Sequence, residues 1–262
     1  IEKLLDKTKP AEWNKVGRIT GYESATAEHI VDIVKLVDKT KIKNKKPKIV
    51  LDCGNGTAAL IAPRLFKELG CEILTLNSHP DGLFPGRPSE PTEANVKELI
   101  ALVKSSGADA GIAWDGDGDR VIFVDEKGAY VIGDKVYALS ILWKAGKARR
   151  IEGDVVTTVA TSKAVEDVAA KLKTRVRYTA IGAPYLSEEM AKGNAFMGGE
   201  EVGGVIWPEC SLAKDGFLTG AKLAEALCEK KLSEWLKEVP VYYNVKLKFE
   251  ADEKKKKEFV SS

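Results

Sequence analysis

The chain has 262 residues, which is enough for two domains of ordinary size. Its 41 lysines and arginines nearly balance its 39 aspartates and glutamates, so the net charge of +2 favours neither a nucleic-acid partner nor a membrane surface. No apolar run is long enough for a transmembrane helix, and the four cysteines form no C-x-x-C pair. We therefore expect a cytoplasmic protein with reduced cysteines and with no membrane or nucleic-acid partner.

The first half of the chain alternates helical and strand-like segments. Apolar residues at helical spacing, such as Ile30, Ile33 and Val34, predict the first helix. Predicted helices cover residues 24–39, 57–69 and 93–106, and predicted strands cover residues 48–52, 71–76, 108–114, 121–124 and 129–132. The basic residues 41–48 are interpreted as a solvated connector. Residues 77–91 are interpreted as a loop rich in Pro and Gly, and loops of this length are often functional.

The alternation begins again after residue 153. Predicted strands cover residues 154–159, 175–179, 195–197 and 205–207, and predicted helices cover residues 162–172, 185–192 and 215–229. The polar stretch near residues 144–152 predicts the boundary between two units. Strands alternating with helices predict an α/β fold, with two similar three-layer α/β/α domains and mixed, largely parallel sheets. Residues 241–249 alternate like one further strand, which is not stable alone, so we expect part of another domain there.

Three carboxylates at alternate positions, those of Asp115, Asp117 and Asp119, are separated by glycines and followed by Arg120. Glycine permits a tight turn that can point all three carboxylates at one place. Oxygen ligands of this kind favour Mg²⁺, and the forked cation of an arginine suits phosphate. Two alternatives remain open. An EF-hand loop would add Glu126 but needs flanking helices and a glycine where Arg120 stands, and a solvated acidic turn would bind nothing.

Two glycine-rich turns are further candidates for ligand binding. Residues 54–59 follow a predicted strand and open a helix, as in a dinucleotide-binding turn, but the next strand does not end in an acid, which favours a turn that only packs helix on strand. Residues 198–204 carry Glu200 and Glu201, whose carboxylates could accept hydrogen bonds from sugar hydroxyls. The alternative for this second turn is a tight hairpin with exposed acids.

Taken together, these segments resemble the α-D-phosphohexomutase family of phosphomannomutases, phosphoglucomutases and phosphoglucosamine mutases, and archaeal members above all. The matching motifs are D-G-D-G-D-R at residues 115–120, G-E-E-V-G-G at 199–204, a proline-rich loop at 80–91, G-A-P-Y at 182–185 and K-D-G at 214–216. The resemblance implies that residues 1–20 are the remnant of a preceding domain and a linker, residues 21–146 are domain 2 with the metal loop, residues 147–239 are domain 3 with the sugar-recognition loop, and residues 240–262 begin a truncated domain 4.

The resemblance also implies a function. The family interconverts hexose 1-phosphate and hexose 6-phosphate with Mg²⁺ as cofactor. A phosphoserine gives its phosphoryl group to the sugar, and a hexose bisphosphate forms as the intermediate. The implied site residues are Asp115, Asp117 and Asp119 for the metal, Arg120 for the phosphate during catalysis, and Glu200, Val202, Gly182 and Gly203 for the substrate.

The chain departs from the family pattern in ways that affect function. It contains no segment like the serine loop T-A-S-H-N-P of family domain 1 and none like the phosphate loop R-x-S-G-T of domain 4. The chain alone is therefore expected to be inactive, with domains 1 and 4 as its missing partners. Val202 stands where Ser is common, and Ala183 where His or Asp is common, which leaves the preferred hexose open. The alternatives are a phosphoglucosamine mutase and a non-catalytic module that binds a sugar phosphate or a metal.

Overall fold

The computed structural model describes residues 7–148 and 150–243. Its first unit contains a sheet in the order β2-β1-β3-β4-β5. The strands are β1 (Lys48–Asp52), β2 (Glu72–Leu76), β3 (Ala110–Trp114), β4 (Val121–Asp125) and β5 (Tyr130–Val131). Strand β1 pairs in parallel with β2 and β3, whereas β4 and β5 join the edge as antiparallel strands. Every residue of β3 is buried, as is typical of a parallel strand covered on both faces.

Helices on this sheet largely follow the predicted ones. They are α1 (Ala25–Lys35), α2 (Lys39–Lys45), α3 (Ala58–Leu69) and α4 (Lys97–Ser106). The prediction of a solvated connector over residues 41–48 is wrong for its first part. The side chain of Asp38 accepts a hydrogen bond from the Lys41 amide and caps α2. The buried side chain of Ile42 packs the helix against the core. Helix α4 begins later than predicted, after the turn that follows Pro91.

The second unit repeats the arrangement with a sheet in the order β7-β6-β8-β9. The strands are β6 (Asp154–Thr158), β7 (Val176–Thr179), β8 (Ala195–Gly199) and β9 (Val205–Ile206), and the helices are α5 (Gly133–Lys147), α6 (Ala164–Lys171), α7 (Ala183–Ala191), α8 (Gly216–Ala226) and α9 (Leu232–Trp235). Strand β6 is parallel to β7 and β8, and β9 is antiparallel to β8. The predicted fold class, two α/β/α domains with mixed and mostly parallel sheets, is confirmed.

Helix α5 has no counterpart among the predicted elements, and it bears on the division into domains. Most of its residues are buried, and the Tyr137 hydroxyl donates hydrogen bonds to the carbonyls of Val156 and Met197, at 2.8 and 3.2 Å. Lys144 further along α5 donates to the carbonyl of Phe196 at 2.8 Å. These contacts attach α5 to the second sheet. The helix also packs on the first sheet, where the rings of Trp143 and Phe123 have centroids 6.2 Å apart, so the boundary after residue 146 stays a prediction.

The two units share one apolar core. A continuous cluster of buried side chains includes residues of both sheets, and the ring of Trp114 at the end of β3 stacks on Phe217 at the start of α8, with centroids 5.9 Å apart. Among residues 7–20, a short 3₁₀ helix covers Trp13–Lys15, and those residues are exposed. Most of the strand predicted over 241–249 lies outside the described residues. No helix in the described part of the chain is long and apolar enough to cross a membrane.

Candidate functional site

The loop of residues 115–120 leaves the carboxyl end of β3 and returns into β4. Asp115 is 1% exposed, and its Oδ1 accepts hydrogen bonds from the amides of Gly118 and Arg120, at 3.1 and 3.2 Å. Gly118 has φ +79°, a conformation that a side chain disfavours, and this lets the loop turn back on Asp115. The carboxylates of Asp115, Asp117 and Asp119 each offer an oxygen within 4.8 Å of the others. The loop therefore brings together the three acids that the sequence singled out.

Arg120 is held between acids from two loops. Its Nε lies 2.5 Å from Asp115 Oδ2, and its guanidinium also donates to Glu90 Oε2 at 2.5 Å. Burial raises the pKa of Asp115 to about 6, although the neighbouring guanidinium acts in the opposite direction. The arginine is thus fixed beside the three carboxylates and remains about a quarter exposed, so it can also reach a ligand.

The three carboxylates fit a hard divalent cation. Asp115 is buried, Asp119 is partly exposed and Asp117 is exposed, so the cluster opens to solvent on one side. Oxygen ligands with room for water suit Mg²⁺. The EF-hand alternative is excluded because strands β3 and β4 flank the loop. A fully solvated acidic turn does not fit Asp115, whose carboxylate is enclosed and accepts hydrogen bonds on both oxygens.

The proline-rich loop at residues 80–91 is anchored to the same edge of the first sheet by a buried ion pair. Arg87 Nε lies 2.7 Å from Asp52 Oδ2, and a second guanidinium nitrogen donates to the Trp114 carbonyl at 2.7 Å. Beyond this anchor, the Ser89 hydroxyl accepts a hydrogen bond from the Gly116 amide at 3.1 Å. The anchor therefore positions the part of the loop that contacts the aspartate loop. Sequence reasoning marked this loop as functional but did not find Arg87.

The glycine turn at residues 54–59 packs against protein rather than enclosing an open phosphate cradle. The Gly54 amide donates to Asp52 Oδ1 at 3.0 Å, and the Thr57 amide donates to the Gly116 carbonyl at 3.0 Å. These hydrogen bonds connect the turn to the Arg87–Asp52 ion pair on one side and to the aspartate loop on the other. The arrangement favours the packing role over a dinucleotide site.

The second glycine-rich turn joins β8 to β9, and Glu200 and Glu201 lie at its start. It is a hairpin turn, but the acids are not exposed: Glu200 is 5% and Glu201 is 8% exposed. Glu201 accepts a hydrogen bond from the Thr158 hydroxyl at 3.1 Å. Gly203 has φ +89°, and a Cβ there would lie 2.2 Å from the Val121 carbonyl oxygen. Only glycine therefore allows this turn to lie so close to β4.

Backbone and side-chain contacts join this turn to the aspartate loop. The Val121 amide donates to the Gly203 carbonyl at 3.1 Å. Lys214 Nζ lies 2.7 Å from Glu200 Oε1 and 2.8 Å from Asp119 Oδ2. Burial acts to lower the pKa of Lys214, but the two carboxylates outweigh it and hold that pKa above its usual value. Lys214 was noted in the sequence only as part of the K-D-G motif, and this bridge was not predicted.

The remaining predicted substrate residues lie at the same edge of the second sheet. Gly182 follows β7 and precedes α7, with φ +135°, and its carbonyl accepts from the amides of Tyr185 and Leu186. Val202 is partly exposed in the turn after β8. Parallel strands bring these positions to one edge of the sheet. The described contacts of Gly182 are with its own helix, so its role towards a substrate stays a prediction.

Models of protein families match most of the chain. The model for "Phosphoglucomutase/phosphomannomutase, alpha/beta/alpha domain II" matches residues 27–128, and the model for domain III matches residues 132–243. The gap between the two matches covers residues 129–131 and so includes β5. This assignment places α5 wholly within the second match. It agrees with the contacts of α5 on the second sheet.

The relatives with similar sequences include enzymes of two names. A phosphoglucomutase/phosphomannomutase of Thermococcus kodakarensis is 40% identical over 243 residues, covering 91% of this chain and 52% of that protein. A phosphoglucosamine mutase of Methanocaldococcus jannaschii is 36% identical over 269 residues, covering 100% of this chain and 59% of that protein. The chain thus spans between half and three fifths of the length of these relatives.

Solved structures agree with the fold. A phosphoglucomutase/phosphomannomutase family protein from Burkholderia thailandensis has a TM-score of 0.75 at 27% identity, over 84% of this chain and 47% of that one. The N-acetylphosphoglucosamine mutase of Aspergillus fumigatus, solved with GlcNAc-6P and magnesium, has a TM-score of 0.60 at 17% identity, over 87% of this chain and 52% of that one, a likeness of fold alone. With both central domains matched in order, the chain belongs to the phosphoglucomutase/phosphomannomutase family of α-D-phosphohexomutases.

Proposed function

We propose that this chain supplies the metal-binding and sugar-binding parts of a Mg²⁺-dependent phosphohexomutase. The reaction would interconvert hexose 1-phosphate and hexose 6-phosphate through a phosphoserine and a hexose bisphosphate. The observation that carries the proposal is the contact between the two loops. Asp119 of the aspartate loop and Glu200 of the second turn meet on one ammonium group, that of Lys214, at 2.8 and 2.7 Å.

The aspartate loop has the chemistry for the phosphate side of this reaction. Asp115, Asp117 and Asp119 would hold Mg²⁺, which when bound offsets negative charge on a transferring phosphoryl group. Arg120 is already fixed by Asp115 and Glu90, so its remaining exposed edge can bind phosphate oxygens without first losing much side-chain freedom. Positioning and charge compensation are the main contributions a protein makes to phosphoryl transfer.

The second turn has the chemistry for the sugar side. Glu200 is a buried acceptor at the edge of the second sheet and would bind sugar hydroxyls by charge-assisted hydrogen bonds. Val202 and Gly203 would contribute backbone groups from the same turn, and Gly182 would do so from the start of α7. The phosphoserine would come from family domain 1, and domain 4 would close on the substrate phosphate.

Phosphoglucosamine mutase is the second candidate, because relatives of that name match the chain about as well as the phosphoglucomutase/phosphomannomutase does. Turnover assays of the full-length protein with glucose, mannose and glucosamine phosphates separate the two. The 262-residue chain alone should show no turnover, since phosphoryl transfer needs all reacting groups in one place. Turnover by the chain alone would contradict the requirement for a serine from another domain.

The metal site can be tested on the chain itself. Calorimetric titration with Mg²⁺ should show binding that Asp117→Asn weakens by about tenfold or more, because one of three ligand charges is lost. Asp32→Asn is a matched control, since Asp32 is an exposed aspartate on α1 that pairs with Lys35. Equal Mg²⁺ affinity in all three proteins would rule out the aspartate loop as the metal site. Mg²⁺ binding without turnover in the full-length protein would favour the non-catalytic module. The cytoplasmic location of the protein stays a prediction in either case.

A further inference from the structure

Lys214 occupies an unusual position between the two loops. Its side chain is 9% exposed, and the described ion pairs of its ammonium are with Asp119 and Glu200. The two acids belong to different loops and, in the proposed function, to different ligands. A buried ammonium with two acidic partners can shift between them at small cost, whereas losing both would be expensive.

Position 204 is shaped around this lysine. A Cβ on Gly204 would lie 2.2 Å from Lys214 Cδ and 3.0 Å from Glu200 Oε1. The stem of Lys214 therefore passes through the space that any other residue at 204 would fill. The path of the lysine to Asp119 depends on that glycine.

Asp119 has two cationic neighbours. Its Oδ2 faces Lys214 at 2.8 Å, and its Oδ1 lies 3.6 Å from Arg120 Nε. A divalent cation held by the three aspartates must share Asp119 with the ammonium, and like charges at such distances repel. The same repulsion pushes the ammonium towards Glu200.

We propose that Lys214 is a positioning residue that competes with the divalent cation for Asp119 and transmits metal loading to Glu200. Metal entry weakens the Lys214–Asp119 contact and leaves Glu200 as the main partner of the ammonium. Because such coupling is reciprocal, a ligand that holds Lys214 at Glu200 strengthens metal binding. The inference rests on the proposed function, since it takes Asp119 as a metal ligand and Glu200 as a sugar contact.

Calorimetric titration of the 262-residue chain with Mg²⁺ tests the competition. Lys214→Met keeps the apolar stem and removes the charge, so we expect Mg²⁺ to bind about three- to tenfold more tightly. Lys144→Met is the matched control, since Lys144 is a partly buried lysine paired with Glu209 at 2.6 Å. The Mg²⁺ affinity of this control variant should equal that of the wild type. A gain in affinity cannot result from a damaged fold. Unchanged or weaker Mg²⁺ binding by folded Lys214→Met would overturn the proposal.

A second variant serves if Lys214→Met does not fold. Gly204→Ala changes no charge but blocks the path of the lysine stem, so it should also tighten Mg²⁺ binding. Affinity equal to or below that of the wild type in folded Gly204→Ala would count against the competition.

A double-mutant cycle tests whether metal loading is transmitted to Glu200. Glu200→Gln leaves Asp119 as the acidic partner of the ammonium, so Mg²⁺ binding should weaken, and by more in the wild-type background than in Lys214→Met. Additive effects would refute the transmission. Failure of the proposed function itself has a different signature, in which the wild-type chain shows no Mg²⁺ binding that Asp117→Asn can weaken.

Discussion

The buried ion pair between Arg87 and Asp52 gives the sharpest prediction about stability. The two side chains are 4% and 2% exposed, and Arg87 also donates to the carbonyls of Pro88, Ser89 and Trp114. Replacing Arg87 by Met keeps much of the apolar stem and removes the charge and every one of these hydrogen bonds. The change leaves Asp52 as a carboxylate in the interior without its cation.

The expected cost follows from that unpaired charge. Removing one member of a buried ion pair typically costs about 3–5 kcal/mol, which is a large share of the roughly 5–15 kcal/mol that stabilises a domain. Asp52 keeps two hydrogen bonds at 3.0 Å, from the Gly54 amide and the Asn77 side chain, so we expect the lower part of that range. Adding Asp52→Asn to Arg87→Met should recover part of the loss, because the buried charge is then gone.

Urea denaturation followed by circular dichroism measures the difference. Arg175→Met is the control, since Arg175 is 85% exposed and lies 3.5 Å from Asp154, a surface pair that contributes at most about 1 kcal/mol. A loss for Arg87→Met no larger than for this control would refute the assignment of Arg87 as the anchor of the proline-rich loop. Because Ser89 and Glu90 follow Arg87 and contact the aspartate loop, Mg²⁺ affinity should also fall in the variant.

Three shorter predictions concern the loop, the second sheet and the thiols. Gly118→Ala should destabilise the protein by about 2–4 kcal/mol in urea denaturation, because φ is +79° and the new Cβ would lie 2.5 Å from Phe217 Cζ. Tyr137→Phe removes the hydroxyl that donates to two buried carbonyls, and the same assay should show a loss of about 1–2 kcal/mol. Burial raises the pKa of Cys53 and of Cys71 to about 12, so iodoacetamide at pH 8 should leave both unmodified in the folded chain and modify both in urea, as read by mass spectrometry.

The sequence predicts the strands of both sheets better than the helices. Strands β1 and β3 are short apolar runs bounded by polar or glycine residues, and that pattern has few alternatives. Helix α5 is buried around most of its surface, so it lacks the polar face by which helices are recognised. Helix α2 was not predicted for the opposite reason: it is rich in lysine, and Ile42 is its one buried residue, so it shows no apolar face. Both helices are stabilised by tertiary contacts, and the periodicity of the local sequence carries no information about such contacts.

Some residues of the candidate site were predictable from the sequence, and others were not. The aspartate loop was predictable because its three acids and Arg120 are contiguous and glycine lets them converge. Lys214 and Arg87 were not, because each acts on acids that are distant in the sequence. The pair Lys214–Asp119 spans 95 residues by number, and nothing local to either position signals the contact. Only the meeting of the two sheet edges creates it.

The close approach of the two loops limits how the site can move. Gly203 sits where a Cβ would meet the Val121 carbonyl oxygen at 2.2 Å, and Gly118 sits where one would meet the ring of Phe217 at 2.5 Å. Backbone thus contacts backbone at one point and an aromatic ring of the other unit at the second, and packed surfaces of this kind deform little. The aspartate loop and the second turn should therefore behave as one rigid platform. In the proposed function, shifts of charge within this platform, above all at Lys214, would be the way by which the aspartate loop and the second turn influence each other.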